Sequence, residues 1–215
     1  MSKIIGAPLS PFVRKVRIYM EERGLSFDME PMMPGSDDPE FRKISPLGKI
    51  PAFDDGDVAI CDSSVILAYL ECKHGAALCP QAPAQLARAL WFEEYGDSAE
   101  FELFIEGIFF PQVVAPMIHG TEPDKAAIQA YVDRLPEVFD YLESQIDGDF
   151  LVGDDLTVAD ISIVSPFVNL QYAGHQPDPA KWPKLANYVA GILKRPSFRT
   201  AMADEAAGMQ KMAGK

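Results

Sequence analysis

Two short segments carry the residues most able to hold a ligand. Ser45–Pro51 contains the Ile50-Pro51 peptide bond at the start of a predicted strand. An X-Pro bond is the one common place for a cis peptide, which would turn a backbone edge toward a ligand. Asp62–Ser64 lies at the predicted start of a helix, where free N–H groups and the positive dipole end favour a carboxylate. Together the two segments predict a site for a peptide-like anion.

Ser10 is the best candidate for catalysis. It stands before Pro11, a pattern typical of a helix N-cap, so capping alone is one explanation of it. A capping hydroxyl accepts through its oxygen and can still donate its proton to an anion in front of the helix. A thiol of pKa about 8.5 becomes mostly thiolate if that pKa falls by about two units, roughly 2.7 kcal/mol. Ser10 is therefore expected to activate a bound thiol. The sequence around Ser10 has no Asp/His partner and no G-x-S-x-G motif, so a serine hydrolase is not indicated.

The composition excludes several classes of function. A net charge of -13 and a pI near 4.6 argue against a nucleic-acid partner. No signal peptide or membrane-spanning run is recognised, which predicts a cytoplasmic protein without a membrane partner. The three histidines lack metal-ligand spacing, so no metal is expected. The three cysteines (Cys61, Cys72 and Cys79) form no CxxC pair, which fits a reducing compartment and buried, unreactive thiols.

The first part of the chain predicts a compact α/β unit over residues 1–77. Strands and helices alternate, with Asp/Gly turn chemistry between the last two strands, so a mixed sheet is expected. The predicted elements are the strands 3–6, 26–32, 51–53 and 58–60 and the helices 11–23, 38–44 and 64–74.

Residues 78–83 predict a linker, and residues 84–215 predict an all-helical domain. A long helix from residue 84 to about 105 is expected to bend or end at Gly107, Pro111 and Pro116. Residues 124–146 predict a helix kinked at Pro136. Further helices are expected at 158–171, 182–194 and 197–204, and the tail 205–215 is expected to fray.

Structural roles are predicted for four other residues. Thr157 and Asp160 form a capping-box pattern at the start of a helix, which indicates a folding role. Arg14 and Arg17 are expected to form surface or inter-domain ion pairs and not to bind a ligand.

The order of these features resembles that of the glutathione transferases over nearly the whole chain. The Ser10 turn, the Pro-Leu-Gly-Lys-Ile-Pro stretch, Asp62–Ser64 and the later capping box all appear in the family's sequence. The S-P-F-x-R-K-type first helix is most similar to a bacterial, theta/zeta-like branch. The resemblance implies a thioredoxin-like N-terminal domain, an all-α C-terminal domain, a homodimer and a role in detoxification.

The resemblance also implies a glutathione site. By position, Ser10 matches the catalytic hydroxyl that stabilises the glutathione thiolate, and Lys49 matches a residue that reaches the glycine carboxylate. Ile50 would pair its backbone with the cysteinyl part, next to a cis Pro51. The resemblance further implies that Asp62 and Ser63 hold the γ-glutamyl group, the acid at its amine and the serine at its carboxylate. Each of these roles has an alternative. Lys49 could be a solvated loop lysine, and Asp62 and Ser63 could simply cap their helix.

An apolar electrophile is the second substrate that the family implies, between the two domains. Its pocket is expected in the region of Phe12, Phe101, Phe104, Phe109, Phe110, Val113 and Met117. Asp97 is a further candidate, as a residue that reaches the glutathione amine of a partner subunit.

Two other functions stay open. The chain could be a non-catalytic family member that acts as an interaction or regulatory protein, although it keeps Ser10, Lys49, Ile50-Pro51 and Asp62-Ser63. It could also be a glutathione-dependent disulfide reductase or isomerase that uses the thiol of glutathione. The absence of a cysteine at the Ser10 turn disfavours a mixed disulfide there.

Overall fold

The N-terminal part of the chain is a four-stranded sheet with three helices. The computed structural model describes the backbone of residues 1–213 and the side chains of residues 1–210. The strands are β1 (Ser2–Ile5), β2 (Phe27–Glu30), β3 (Ala52–Asp54) and β4 (Ala59–Cys61), and the helices are α1 (Pro11–Glu22), α2 (Pro39–Ile44) and α3 (Ser63–His74).

The sheet has the strand order β2-β1-β3-β4 and is mixed, as predicted. β1 runs parallel to β2 and antiparallel to β3, with Ile5 opposite Ala52. β3 and β4 form the predicted hairpin, because Asp55 N–H bonds to the Val58 carbonyl at 3.2 Å and Gly56 takes a positive φ of 89°. In this thioredoxin-like arrangement the C-terminal end of β1 and the N-terminal start of β3 lie side by side.

The rest of the described chain is helical, as predicted. The helices are α4 (Pro83–Tyr95), a π-helical segment (Gly96–Val114), α5 (Ala115–His119), α6 (Lys125–Val132), α7 (Leu135–Gln145), α8 (Val158–Tyr172), α9 (Pro183–Leu193) and α10 (Pro196–Ala213). Their core includes Phe104, Phe139 and Phe167, whose ring centroids lie 5.1–6.1 Å apart.

Gly107, Pro111 and Pro116 were expected to bend or end the long helix, and the structure shows that they do not end it. Helical structure continues to His119 and ends at Gly120, which has a φ of 64°. In the π-helical segment each turn is wider, as shown by Ala115 N–H, which bonds to the carbonyl of Phe110 five residues earlier. A wider turn accommodates a proline, whose ring and missing N–H disrupt a regular α-helix.

The uninterrupted stretch Pro83–His119 is also long and apolar enough to cross a membrane, with a mean hydropathy of 1.5 over its best window. No such run was recognised from the sequence alone. Core helices of globular proteins pass the same test; 33% of this apolar window is buried inside the protein, and Phe92 and Phe104 of the stretch are completely buried. Phe104 packs edge-on against Phe167 of α8.

Two other helix predictions are corrected. Residues 124–146 form α6 and α7, separated by a turn at residues 133–134, and Pro136 lies in the first turn of α7. A proline fits the first turn because no intrahelical N–H is needed there. The predicted fraying of the tail is wrong for residues 205–213, which continue α10, since Glu205 is buried in an ion pair with Arg14. Residues 214–215 lie outside the described residues.

Candidate functional site

The two predicted ligand-holding segments meet at a backbone hydrogen bond. Asp62 N–H donates to the Pro51 carbonyl at 3.2 Å, one step beyond the β3–β4 pair Ala52 and Cys61. The Ile50-Pro51 peptide bond is cis. The sheet register thus places the Ser45–Pro51 segment directly beside the N-terminus of α3.

The N-terminus of α3 is built by Asp62. Its Oδ1 accepts hydrogen bonds from the N–H groups of Ser64, at 3.0 Å, and Val65, at 3.2 Å, while its φ of 80° is unusual for a residue with a side chain. The capping role weighed as an alternative is therefore present. It uses one carboxylate oxygen, and Oδ2 has no hydrogen-bond partner among the described residues. Ser63 is only 4% exposed, and its hydroxyl has no hydrogen-bond partner among the described residues.

Ile50 and Lys49 present unused polar groups on the adjoining segment. Among residues 1–213, no hydrogen bond is found for the backbone N–H or carbonyl of Ile50, whose side chain is buried. The side chain of Lys49 is exposed and likewise has no ion-pair partner in the described chain. The Ser45 hydroxyl fixes the segment by donating to the Lys49 carbonyl at 2.7 Å. A free backbone edge with a cation beside it suits a peptide that ends in a carboxylate.

Ser10 caps α1 at the end of the turn that follows β1. Val13 N–H donates to Ser10 Oγ at 3.4 Å, and Ser10 N–H donates to the Ala7 carbonyl at 3.0 Å. Gly6 begins this turn, and a Cβ atom there would lie 3.3 Å from the Cβ of Ile50. This close approach places Gly6, at the start of the turn that leads to Ser10, against Ile50. The Ser10 hydroxyl proton has no acceptor in the part of the chain that the structure describes.

A buried lysine behind the site was missed by the sequence analysis. Lys15 is 1% exposed, and its Nζ lies 2.6 Å from Asp97, 3.2 Å from Glu93 and 3.4 Å from the Ser64 hydroxyl. Burial raises the pKa of Asp97, while the charge of Lys15 opposes the rise. The i, i+4 spacing of Glu93 and Asp97 was the signal for one acidic helix face. One carboxylate oxygen of Asp97, Oδ2, binds Lys15 and Ser64 of its own chain, and its reach to a partner subunit stays a prediction.

Arg14 and Arg17 form inter-domain ion pairs, as predicted. The Arg14 guanidinium binds Glu205 of α10 through two 2.7 Å contacts, and Arg17 Nη2 lies 2.6 Å from Asp204. Arg14 also donates to Asn169 of α8, a residue that the sequence analysis did not single out. These contacts join α1, which carries Ser10 at its start, to the helical domain.

The predicted apolar region divides into two sets. Phe12 and Phe101 pack with ring centroids 4.9 Å apart and are half-buried, and Phe110, Val113 and Met117 are also accessible. Phe104 and Phe109 are 0% and 3% exposed, so their inclusion as pocket residues is wrong. Both belong to the core, because they lie on the inward face of the π-helical segment.

Two cavities on the helical domain contain none of the predicted site residues. The larger has a volume of about 480 Å³ and lies between the loop after α7 and α9, where Ile146, Tyr188 and Ile192 form its floor. The smaller, about 260 Å³, lies against the loop after α8. The candidate site lies elsewhere, where Pro51 and the N-terminus of α3 meet.

The remaining sequence predictions have mixed outcomes. Asp160 Oδ2 accepts from the Thr157 N–H at 2.8 Å, so the capping box is confirmed. Cys72 is exposed, which contradicts its predicted burial, while Cys61 and Cys79 are half-buried. Burial, with smaller contributions from nearby acids, raises the pKa of Cys79 to about 12, so this thiol is unreactive.

Comparisons with known proteins find similarity in sequence and fold over most of the chain. Residues 4–78 match the model of the glutathione S-transferase N-terminal domain, and residues 110–204 match that of its C-terminal domain. Glutathione S-transferase 3 of Zea mays is 28% identical, covering 94% of this chain and 93% of its own length. A glutathione S-transferase of Hyoscyamus muticus is 29% identical, with coverages of 93% and 97%. The crystal structure of a glutathione S-transferase from Rhodospirillum rubrum F11 is 26% identical, with a TM-score of 0.86 over 94% of this chain and 91% of that one.

Proposed function

This chain belongs to the glutathione S-transferase family of enzymes, which use glutathione as co-substrate, and from this we propose that it transfers the glutathione thiolate to an apolar electrophile. The observation that carries the proposal is the 3.2 Å hydrogen bond from Asp62 N–H to the Pro51 carbonyl. It joins the two segments that bear the unused binding groups into one surface, beside the Ser10 turn.

The unused polar groups around that bond fit the three parts of glutathione. Lys49 pairs with the glycine carboxylate, and the free N–H and carbonyl of Ile50 bind the cysteinyl backbone. Ser63, with its unpartnered hydroxyl, binds the γ-glutamyl carboxylate at the N-terminus of α3. The second oxygen of Asp62 takes the amine. Pro51 shapes the segment that carries these groups.

Ser10 supplies the thiol activation. Its oxygen accepts from Val13 N–H, so its proton is the part of the hydroxyl that remains for a sulfur anion. Donation to the thiolate, together with the N-terminal dipole of α1, favours the ionised form and lowers the thiol pKa. The thiol proton leaves to solvent. The sulfur then forms a bond to an electrophilic carbon, and the electron pair goes to a leaving group or, in an addition, onto the acceptor.

Accessible apolar side chains from both domains support an apolar electrophile. Phe12 of α1 contacts Phe101 of the π-helical segment, and Phe110, Val113 and Met117 follow along the same segment. The second substrate lies against this surface, where burial of its apolar area supplies binding free energy.

Three finer assignments belong to the proposal as well. A homodimer is supported by the exposed apolar side chains of Val65 on α3 and of Leu90 and Trp91 on α4. A cytoplasmic location and the theta/zeta-like branch follow from the sequence resemblance described above. The human T1-1 enzyme, at 21% identity and a TM-score of 0.84, shares the fold alone.

Retention on immobilised glutathione, combined with the ultraviolet absorbance of the bound thiolate, tests the proposal. Wild type should bind glutathione and show a thiolate signal at neutral pH. Ser10→Ala should retain glutathione but lose most of that signal, whereas Ser10→Thr, which keeps a hydroxyl, should preserve it. Failure of the wild type to bind would overturn the proposed function. Binding with a thiolate signal that is unaffected in Ser10→Ala would overturn only the role of Ser10.

A further inference from the structure

Asn169 of α8 reaches across the domain interface to the turn that holds Ser10. Its side chain is fully buried, and its Nδ2 donates to the Leu9 carbonyl at 2.8 Å. Leu9 is the residue immediately before Ser10. A side chain of the helical domain is thus bonded to the backbone of the glutathione-binding domain, one peptide away from the proposed catalytic hydroxyl.

The Leu9–Ser10 peptide is held at both ends by this bond and one other. A peptide group is planar, so the Leu9 carbonyl and the Ser10 N–H and Cα move as one unit. Asn169 binds the carbonyl side, and the Ala7 carbonyl accepts from the Ser10 N–H at 3.0 Å. Both hydrogen-bonding atoms of the plane are therefore fixed, and with them the position of the Ser10 Cα atom, which bears the side chain.

Arg14 fixes which way the Asn169 amide faces. A guanidinium only donates, so Arg14 Nη1, at 2.7 Å, requires the oxygen of Asn169 on its side. The amide nitrogen must then face the Leu9 carbonyl. Arg14 is itself held by Glu205 and by the Ser165 carbonyl, at 2.6 Å. This buried network leaves the Asn169 side chain a single orientation.

We propose that Asn169 is a positioning residue that sets the Ser10 hydroxyl for the glutathione thiolate through the Leu9 carbonyl. The inference rests on the proposed function of Ser10. A hydroxyl stabilises an anion only within hydrogen-bond distance and angle, so a small rotation of the Leu9–Ser10 peptide weakens the donation. Loss of the Asn169 bond therefore raises the pKa of the bound thiol, while the glutathione-binding groups at Lys49 and Ser63 stay in place.

A pH titration of the thiolate absorbance of glutathione bound to purified full-length protein tests this inference. Asn169→Asp keeps an oxygen for Arg14 but puts an acceptor against the Leu9 carbonyl. Asn169→Ser is neutral and too short to reach, so it separates the lost donor from the added charge. Both variants should raise the thiol pKa by about one unit, a roughly tenfold smaller thiolate-to-thiol ratio at a given pH. Glutathione affinity measured in acid, where the bound sulfur is a neutral thiol in every variant, should change less than threefold.

A double-mutant cycle with Ser10→Ala decides whether Asn169 acts through Ser10. In the Ser10→Ala background, Asn169→Ser should cause no further rise in thiol pKa. Tyr172→Phe removes the 3.0 Å bond from Tyr172 to Glu205 in the same network, together with a 3.4 Å bond to the Met202 carbonyl, and should leave the titration at the wild-type value. Thermal unfolding of every variant shows that the proteins compared are folded.

The outcomes separate the inference from the proposed function. If Asn169→Ser titrates like the wild type while Ser10→Ala raises the thiol pKa, the role of Asn169 is overturned and the role of Ser10 stands. The role of Asn169 is also overturned if Asn169→Ser raises the thiol pKa equally with and without the Ser10 hydroxyl, or if Tyr172→Phe raises it by the same amount. Either result would mean that the variants disturb the domain interface in general. A wild-type titration in Ser10→Ala overturns the Ser10 mechanism and this inference with it. If Asn169→Asp does not fold, the Asn169→Ser cycle carries the test alone.

Discussion

Arg14 and Glu205, which are 191 positions apart in the chain, form a buried bidentate ion pair with both contacts at 2.7 Å. The pair joins α1, which begins at the candidate site, to α10 at the other end of the protein. Side-chain exposures of 0% and 1% mean that neither charge is hydrated in the folded state. Removal of one partner therefore leaves the other charge buried without compensation.

Glu205→Gln should lower the free energy of unfolding by about 3–5 kcal/mol, because the Arg14 charge loses its counter-ion in the interior. Chemical denaturation followed by circular dichroism measures the change. Asp204→Asn is the matched control, since Asp204 pairs with Arg17 but its side chain is 62% exposed, and its loss should be below about 1 kcal/mol. Equal losses in the two variants would contradict the buried-pair argument.

Lys49→Ala should raise the KM for glutathione by about 3–10-fold, because an exposed cation that pairs with a carboxylate contributes roughly 1 kcal/mol. The difference should shrink as salt is added, since salt screens exposed charges. Steady-state kinetics at two ionic strengths provide the measurement. Lys43→Ala is the control, as Lys43 is also exposed but pairs with Glu40 at 2.6 Å. A KM unchanged in Lys49→Ala would remove Lys49 from the site.

Glu100→Gln should stabilise the protein at neutral pH and have little effect below about pH 4. Glu100 is fully buried with neither carboxylate oxygen bonded among the described residues, and burial, aided by Asp97, raises its pKa well above the usual value. The folded protein therefore binds more protons than the unfolded protein. The free energy of unfolding consequently falls as pH rises from the unfolded pKa toward the folded one.

Thermal unfolding of Glu100→Gln should show a midpoint about 2–4 °C or more above wild type at pH 7, with the gap closing in acid. Glu102→Gln, an exposed residue of the same π-helical segment, should not change the pH dependence. A gap that is independent of pH would show that packing, and not protonation, causes the difference.

Asp160→Ala should cost about 2–5 kcal/mol in the free energy of unfolding, since several buried donors lose their acceptor together. The Asp160 carboxylate accepts from Leu151 N–H, at 2.8 Å, and from the Tyr188 hydroxyl, at 2.9 Å, in addition to the Thr157 N–H. Asp154→Ala, in the exposed loop before α8, is the control and should stay within about 0.5 kcal/mol. Denaturant titration compares the two variants. A similar loss of unfolding free energy in both would contradict a stabilising role of the hydrogen bonds to Asp160.

Local chemistry in the sequence was sufficient to predict most of the N-terminal unit. Ser10 before Pro11 and the Asp/Gly turn at residues 54–57 each predicted a boundary that the structure has. These signals work because caps and turns depend on residues a few positions apart. The cis bond at Ile50-Pro51 was also predicted, from the residue type and the family resemblance.

Predictions failed where a distant contact outweighed a local signal. Pro111 and Gly107 predict a break, yet the helix continues through both, and a Cβ at Gly107 would collide with the Tyr131 ring of α6. The glycine is thus explained by packing between helices and not by helix ending. Phe104 was assigned to a pocket because aromatic spacing does not reveal which face of the helix turns inward.

The sequence by itself determined the residue types of the candidate site, the caps and turns that begin its helices, and the family to which the chain belongs. Only the tertiary structure decided how those residues meet: Pro51 beside Asp62 through the sheet register, Lys15 buried against Asp97, and Asn169 bonded to the backbone before Ser10. The physical reason is the separation along the chain of the residues that interact. Caps and turns form between neighbours in the chain, whereas burial and inter-domain hydrogen bonds depend on which distant segments pack together.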